Sequence, residues 1–532
     1  MLRRILNVFR HAASAPAKEA DAHMIDDLLR EAESCRRSAD HRGVESFCRR
    51  VLDADPDQAQ ALYLLGEAAG IRGDNEQALA LLSRAISSDG SRVHFHYALG
   101  CVLGSAGDWR AAARSYRRAL EVDPAHAGAH VNLGCILQSQ GEADAASGAP
   151  ELAASGLAQA ISHFKAACDA APDFPDGWIN LGYALAQQRN PAEAARSYAR
   201  ALAAAPDQAL ARFNRSMALL AQGRYLEGWE DYEWRWQASG YPKPQFTQPE
   251  WDGGPLAGKA ILLYTEQGFG DAIQFARYAT ILAARGARVI LRCPAQLERL
   301  FRSIPGITQI VTSEGPHPRF DIHSALLSLP LKLKTTPETI PVPIPYVSAA
   351  DEDADEWRER LGPSSPDLKV GLVWASQSAF PGAAMKSLPL ATFACLRGLP
   401  GVRFYSLQLG EAGRQASQPD APFQPYDFTA YIRDFADTAG LVAQLDLVIS
   451  VDTAVAHLAG AMGKPAWTLL PYAADWRWEP ESRSSNWYPG MRLFRQESRG
   501  DWRAVLSRVA AQLRDECAAG ATTPTLSATA GV

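Results

Sequence analysis

One spacing constrains this chain more than any other. Matched residues recur at a period of about 34 across residues 25–236. The clearest unit begins at Val93 and carries Leu99-Gly100, Ala112, Tyr116, Ala119 and Pro124. Another has Trp178, Leu181-Gly182, Ala194, Tyr198, Ala201 and Pro206. Leu65-Gly66 with Ala78, Leu82 and Ala85 marks a third. Leu133-Gly134 opens a fourth, which closes with Ala160, Phe164, Ala167 and Pro172. Each unit reads as a pair of helices. Glycine lets the two helices cross closely, alanine lets the second pack tightly, an aromatic fills the gap and proline ends the pair. Weaker copies occupy residues 25–58 and 209–236. An Ala/Ser/Gly-rich insertion near residues 142–156 is expected to be a loop.

These positions resemble tetratricopeptide repeats. The resemblance implies a superhelix whose concave face binds peptides or proteins. Asn132, Asn180 and Asn214 share one position in three successive units. An amide both donates and accepts, so such a ladder can grip an extended backbone without reading its sequence. It is similar to the asparagine ladder of nucleocytoplasmic protein O-GlcNAc transferases, and it marks the three residues as candidate acceptor-binding positions. Asparagine is also simply common at this place in the repeat.

After residue 236 the pattern changes. Residues 237–259 are rich in Pro, Gly and Gln and read as a linker packed on the array. Strands and helices then alternate, which predicts parallel sheets wound right-handedly. Residues 260–350 and 351–515 form two such α/β lobes, with a ligand cleft at the strand ends. Residues 516–532 are expected to be disordered. The fold class is therefore an all-α repeat superhelix followed by two Rossmann-like lobes.

The first lobe opens with Tyr264–Tyr278, where a strand runs into Gly268-Phe269-Gly270-Asp271 and a helix follows. The second opens at Val370 and continues to Lys386-Ser387-Leu388-Pro389. Phe404–Ala412 reads as a strand ending in a polar loop that contains Gln408. Asp437-Thr438 caps the helix before the next strand. Leu447–Pro465 is an apolar strand, a polar turn at Asp452 and Thr453, and a helix of small residues from Ala454 that includes His457. A helix N-terminus with small residues is a site for anions. Trp476-Arg477-Trp478 and Trp487-Tyr488 form an aromatic-basic loop, either for ligand stacking or for packing.

The Leu447–Pro465 segment resembles the donor-binding motif of GT-B glycosyltransferases, heptosyltransferase-like enzymes in particular. The Gly-Asp turn resembles that family's motif, whose matching aspartate is the proposed base. The resemblance implies Asp271 as catalytic base, taking the proton of an acceptor hydroxyl. It implies donor contacts from Gly268, Gly270, Gln274, Lys386, Gln408, Asp452, Thr453, Ala454 and His457. Residues 376–380 depart from the family loop, which usually carries Asn and His. The Asp351, Asp353 and Asp355 spacing reads as a solvated helix face. No metal motif is present, so helix N-termini and cations would do a metal's work, and no cofactor is needed beyond the nucleotide-sugar donor.

A net charge of −6 gives no nucleic-acid surface. The eight cysteines form no Cys-x-x-Cys pair, which fits a reducing cytoplasm. No apolar run spans a membrane. Residues 1–24, basic and apolar at the start, read as a frayed terminus or a short membrane-surface helix. The whole resembles bacterial repeat–transferase proteins, some of which modify flagellin. It implies transfer of a nonulosonic acid or an N-acetylhexosamine to Ser or Thr of a protein, with inversion or retention open. The alternatives are a transferase acting on lipopolysaccharide or another glycan, and a non-enzymatic scaffold on a decayed transferase fold.

Overall fold

The structure, a computed structural model, describes residues 15–520 except 241, 342–343, 364, 378–380 and 419–420. The basic start of the chain and part of the departed loop lie outside the described residues. Two compact units are present: residues 1–139 with 158–181, and residues 140–157 with 182–532. No helix among the described residues is long and apolar enough to cross a membrane.

The first unit is helical. Helices α1 (Ala15–Arg37) and α2 (His41–Ala54) pack as a pair, as do α3 (Ala59–Ile71) with α4 (Asn75–Ser88) and α5 (Val93–Ser105) with α6 (Trp109–Val122). Asp40, Asp74 and Asp108 recur at the repeat spacing. Each accepts the backbone N–H three residues on, capping the second helix of its pair. The glycines sit where close approach demands them. A Cβ on Gly100 would lie 2.5 Å from the Tyr116 ring, and one on Gly134 would lie 2.6 Å from Phe164. The insertion is not a loop. Helix α7 (Ala127–Ala146) and helix α8 (Pro150–Ala170) absorb it, leaving a short turn at Gly148 with φ +77°. Alanine's helix propensity explains the extension.

The helical pattern continues through α9 (Pro175–Gln187), α10 (Pro191–Ala204), α11 (Ala209–Leu220), α12 (Tyr225–Tyr232) and α13 (Arg235–Ser239). Within the second unit, the segment after α13 packs on the first α/β lobe, which corrects its reading as a linker laid on the array. Trp251 is buried and donates its backbone N–H to the His323 carbonyl at 2.8 Å, while Phe246 packs on Tyr264 and His323.

The first lobe holds β1 (Ala260–Tyr264), α14 (Phe269–Ala276), α15 (Tyr278–Ala284), β2 (Arg288–Cys293), α16 (Ala295–Phe301), β3 (Ile307–Thr312), β4 (Ile322–Ala325) and α17 (Leu329–Lys332), and α18 (Asp351–Leu361) follows it and packs on the second lobe, where Gln444 Nε2 donates to the Ala354 carbonyl. The first lobe's sheet is parallel, in the order β3-β2-β1-β4. The second lobe holds β5 (Leu368–Val373), β6 (Val402–Ser406), β7 (Tyr426–Asp427), α19 (Phe435–Ala443), β8 (Leu447–Val451), α20 (Ala454–Ala461), β9 (Ala466–Leu470), β10 (Met491–Arg495) and α21 (Trp502–Gly520). That sheet is also parallel, in the order β10-β9-β8-β5-β6-β7. Its order reverses between β8 and β5, so the loops after those two strands diverge and open a crevice.

Two further expectations change. Helix α21 runs to Gly520, with Glu516 paired to Arg492 at 2.9 Å, so residues 516–520 are ordered helix. Asp353 is buried and paired with Arg299, whereas Asp351 and Asp355 are exposed. Only part of the acidic spacing on α18 therefore faces water.

Candidate active site

A cleft of about 880 Å³ opens at the carboxyl ends of both sheets, lined entirely by residues of the second unit. Two helix N-termini face each other across it. The first belongs to α14, after β1. Gly268 is its N-cap, and Asp271 at the third helical position accepts the Gly268 N–H at 3.1 Å. The second belongs to α20, after β8, where Thr453 is the N-cap and Ala454 begins the helix. A Cβ on Gly270 would lie 2.8 Å from His457 Cδ2 and 3.5 Å from Ala454 Cα. Glycine at that position lets the two N-termini meet.

Several cleft side chains are paired within the protein. Asp271 also accepts from Arg477, whose side chain is otherwise buried. Burial pushes the Asp271 carboxyl above its ordinary range, opposed by Arg477 and by the Gly268 N–H. Lys386 Nζ lies 3.2 Å from Asp452 Oδ2, and the Thr453 and Ser450 hydroxyls lie 2.9 Å apart. His457 shares a hydrogen bond with the Tyr488 hydroxyl at 3.0 Å through Nδ1, while Nε2 is 3.8 Å from Asp452. Burial, reinforced by Arg477, lowers His457 well below its ordinary value and keeps the ring neutral near pH 7.

Gly268, Gly270, Asp271, Lys386, Gln408, Asp452, Thr453, Ala454 and His457 all line this cleft. Gln274 does not. It is fully buried, and its Oε1 accepts from Arg477, so it braces a cleft residue. Gln408 lines the cleft with its amide already committed. Its Oε1 accepts the N–H groups of Trp374 and Ala375 at 3.0 and 2.8 Å, and its Nε2 donates to the Leu409 carbonyl. It shapes the loop after β5.

The asparagines behave differently from a free ladder. Asn132 donates to the Tyr97 and Tyr116 hydroxyls at 3.4 and 3.2 Å. Asn180 donates to the Asp176 carbonyl and accepts from Cys135. Asn214 is half-buried on α11, in the second unit.

Asp434, not Asp437, caps α19, accepting from Ala436 and Asp437 N–H. Asp437 takes Arg433 and Arg299 and is held at about 2 by those hydrogen bonds against the cost of burial. Trp476, Trp478, Trp487 and Tyr488 are all buried, so these aromatics pack the interior while Arg477 and the neighbouring Asp475 line the cleft.

Among the contributors that sequence reading passes over are Gln267, with φ +60°, and the Phe269 and Phe435 rings 5.1 Å apart. Each stands at a strand end or a helix start, which is the signal that marks them. Beside Gln267, Glu266 is buried against Arg235 at 2.7 Å.

Comparison with known proteins bears directly on this cleft. The family profile described as glycosyltransferase family 9 (heptosyltransferase) matches residues 433–489, which include Asp452–His457 and Arg477. A tetratricopeptide repeat profile matches residues 41–92, 97–154, 148–209 and 179–233. The chain is a fusion of tetratricopeptide repeats with a glycosyltransferase family 9 domain. This fusion is 31% identical to protein FlbA of Caulobacter vibrioides over 393 residues, covering 67% of the chain and 64% of FlbA. It thus spans a little under two thirds of that relative's length. Among solved structures it is similar to PilF of Pseudomonas aeruginosa (13% identity, TM-score 0.37, covering 42% of the fusion and 95% of PilF). It is also similar to YrrB, described as a tetratricopeptide protein with an unusual peptide-binding site (22% identity, TM-score 0.28, covering 35% and 88%).

Proposed function

We propose that this fusion is a metal-independent glycosyltransferase of GT-B type that moves a sugar from a nucleotide donor to Ser or Thr of a protein held by its repeats. One observation carries the reading: Asp271 and the Asp452-Thr453-Ala454 turn line the same cleft. The acceptor oxygen would attack the anomeric carbon while Asp271 takes its proton. As the bond from the sugar to phosphate breaks, charge would gather on the leaving nucleotide. The N-terminus of α20 and the Lys386 ammonium stand where they can offset it. The repeats support a protein acceptor, because arrays of this kind bind peptides and proteins.

The likeness to flagellin-modifying proteins makes flagellin the first acceptor to test. Its intact mass is compared between cells carrying the wild-type chain and cells carrying Asp271→Asn. A sugar-sized mass lost only in the variant supports the reading. An unchanged flagellin mass, together with transfer to an isolated glycan, moves the acceptor class to glycans. Failure of any nucleotide sugar to bind removes transfer altogether.

A further inference from the structure

The guanidinium of Arg477 is the least expected group at the cleft. It comes from the segment after β9 in the second lobe and reaches the first turn of α14 in the first. Each of its three nitrogens donates one hydrogen bond. Nε donates to Gln274 Oε1, Nη1 to Asp475 Oδ1 at 2.9 Å and Nη2 to Asp271 Oδ1. Its plane lies over Trp476, 4.6 Å from the ring centroid. Three of its five N–H groups are thus spent inside the protein, on two carboxylates and an amide oxygen. It acts as a bracket.

We propose that Arg477 is a positioning residue for Asp271, delivered by the second lobe to the base on the first. This rests on Asp271 being the base. Arg477 holds one carboxylate oxygen and the Gly268 N–H holds the other, which leaves one lone pair on each oxygen. The carboxylate is thereby turned in one direction. Because the grip comes from the opposite lobe, the base is set only while the lobes meet at Gly270 and His457. The charged and titratable groups facing Asp271 are Arg477, Asp475, Asp452 with its partner Lys386, His457, Tyr232 and Glu266. Arg477 is the one cation among them in contact with the carboxylate, and it opposes the upward push of burial.

The test uses the full chain with ¹³C-labelled aspartate carboxyls. The Asp271 signal is assigned by its loss in Asp271→Asn and titrated by NMR in wild type, Arg477→Lys and Arg477→Gln. Binding of UDP, GDP, ADP and CMP is measured on the same samples. We expect the Asp271 midpoint to move to higher pH in Arg477→Gln and less far in Arg477→Lys. Nucleotide affinity should stay nearly constant. An unmoved midpoint overturns the proposal. So does a loss of about tenfold or more in nucleotide affinity, the loss expected when a charge-assisted phosphate contact is removed. If Arg477→Gln fails to fold, Gln274→Leu, which removes only the Nε partner, must shift the same midpoint. Absence of nucleotide binding in wild type counts against the donor-site reading, and the carboxyl titration still decides the bracket.

Discussion

Gly270 and His457 touch across the cleft, and the contact leaves no room for a side chain at position 270. A Cβ there would lie 2.8 Å from His457 Cδ2, and the imidazole behind it is fixed by Tyr488. Gly270→Ala should therefore part α14 from α20, cost about 1–3 kcal/mol as overpacking does, and lower transfer. Gly268→Ala is the control. Its Cβ meets only one Asp271 carboxylate oxygen, at 3.3 Å, and its φ of −87° suits any residue. Thermal melts of both variants check the contrast, and equal losses would contradict it.

Lys386 is paired with Asp452, so removing it has two effects. Lys386→Ala withdraws a cation and leaves the Asp452 carboxylate facing the same space. Affinity for a nucleoside diphosphate should fall about tenfold or more. Asp452→Asn added to that variant should recover part of the loss. Calorimetric titration with UDP and other nucleotides reads both effects.

Glu266 supplies a pH dependence of stability. Burial raises its carboxyl to about 7 from an ordinary 4.5, with Arg235 opposing the shift. The folded chain thus keeps a proton that the unfolded chain has already lost. This contribution is full below pH 4.5 and is lost as pH rises through 7. Between those limits the wild type should lose about 3 kcal/mol more than Glu266→Gln. Urea melts across that range check it, and parallel curves would count against it.

Gly134 tests the repeat packing in the first unit. A Cβ there would lie 2.6 Å from the Phe164 ring. Gly134→Ala should cost about 1–3 kcal/mol. Because the two residues share one space, Gly134→Ala with Phe164→Ala should be less damaging than the two single losses added together. Melting curves of the three variants give the answer.

Much of the architecture is legible in the amino-acid sequence. Leu-Gly pairs, spaced alanines and aromatics locate the helix pairs, and apolar runs between polar turns locate β1, β5, β8 and β9. The insertion misleads because Ala-rich sequence extends a helix as readily as it fills a loop. Strands β4 and β10 escape notice because His323, Ser324, Arg492 and Arg495 break up their apolar runs.

At the cleft, sequence alone located two of the turns that line it. Gly268–Asp271 and Asp452–Ala454 follow apolar strands and open helices, and that local grammar needs no distant partner. Only the tertiary structure decided what each side chain does there. Arg477 stands 206 positions from Asp271 and 203 from Gln274, and Gln408 spends its amide on backbone 33 and 34 positions away. Helix and strand periods come from short-range burial and hydrogen bonding, which neighbouring residues encode directly. The partners of a buried charge depend on which loops arrive at one sheet edge, and that follows from strand order and lobe packing.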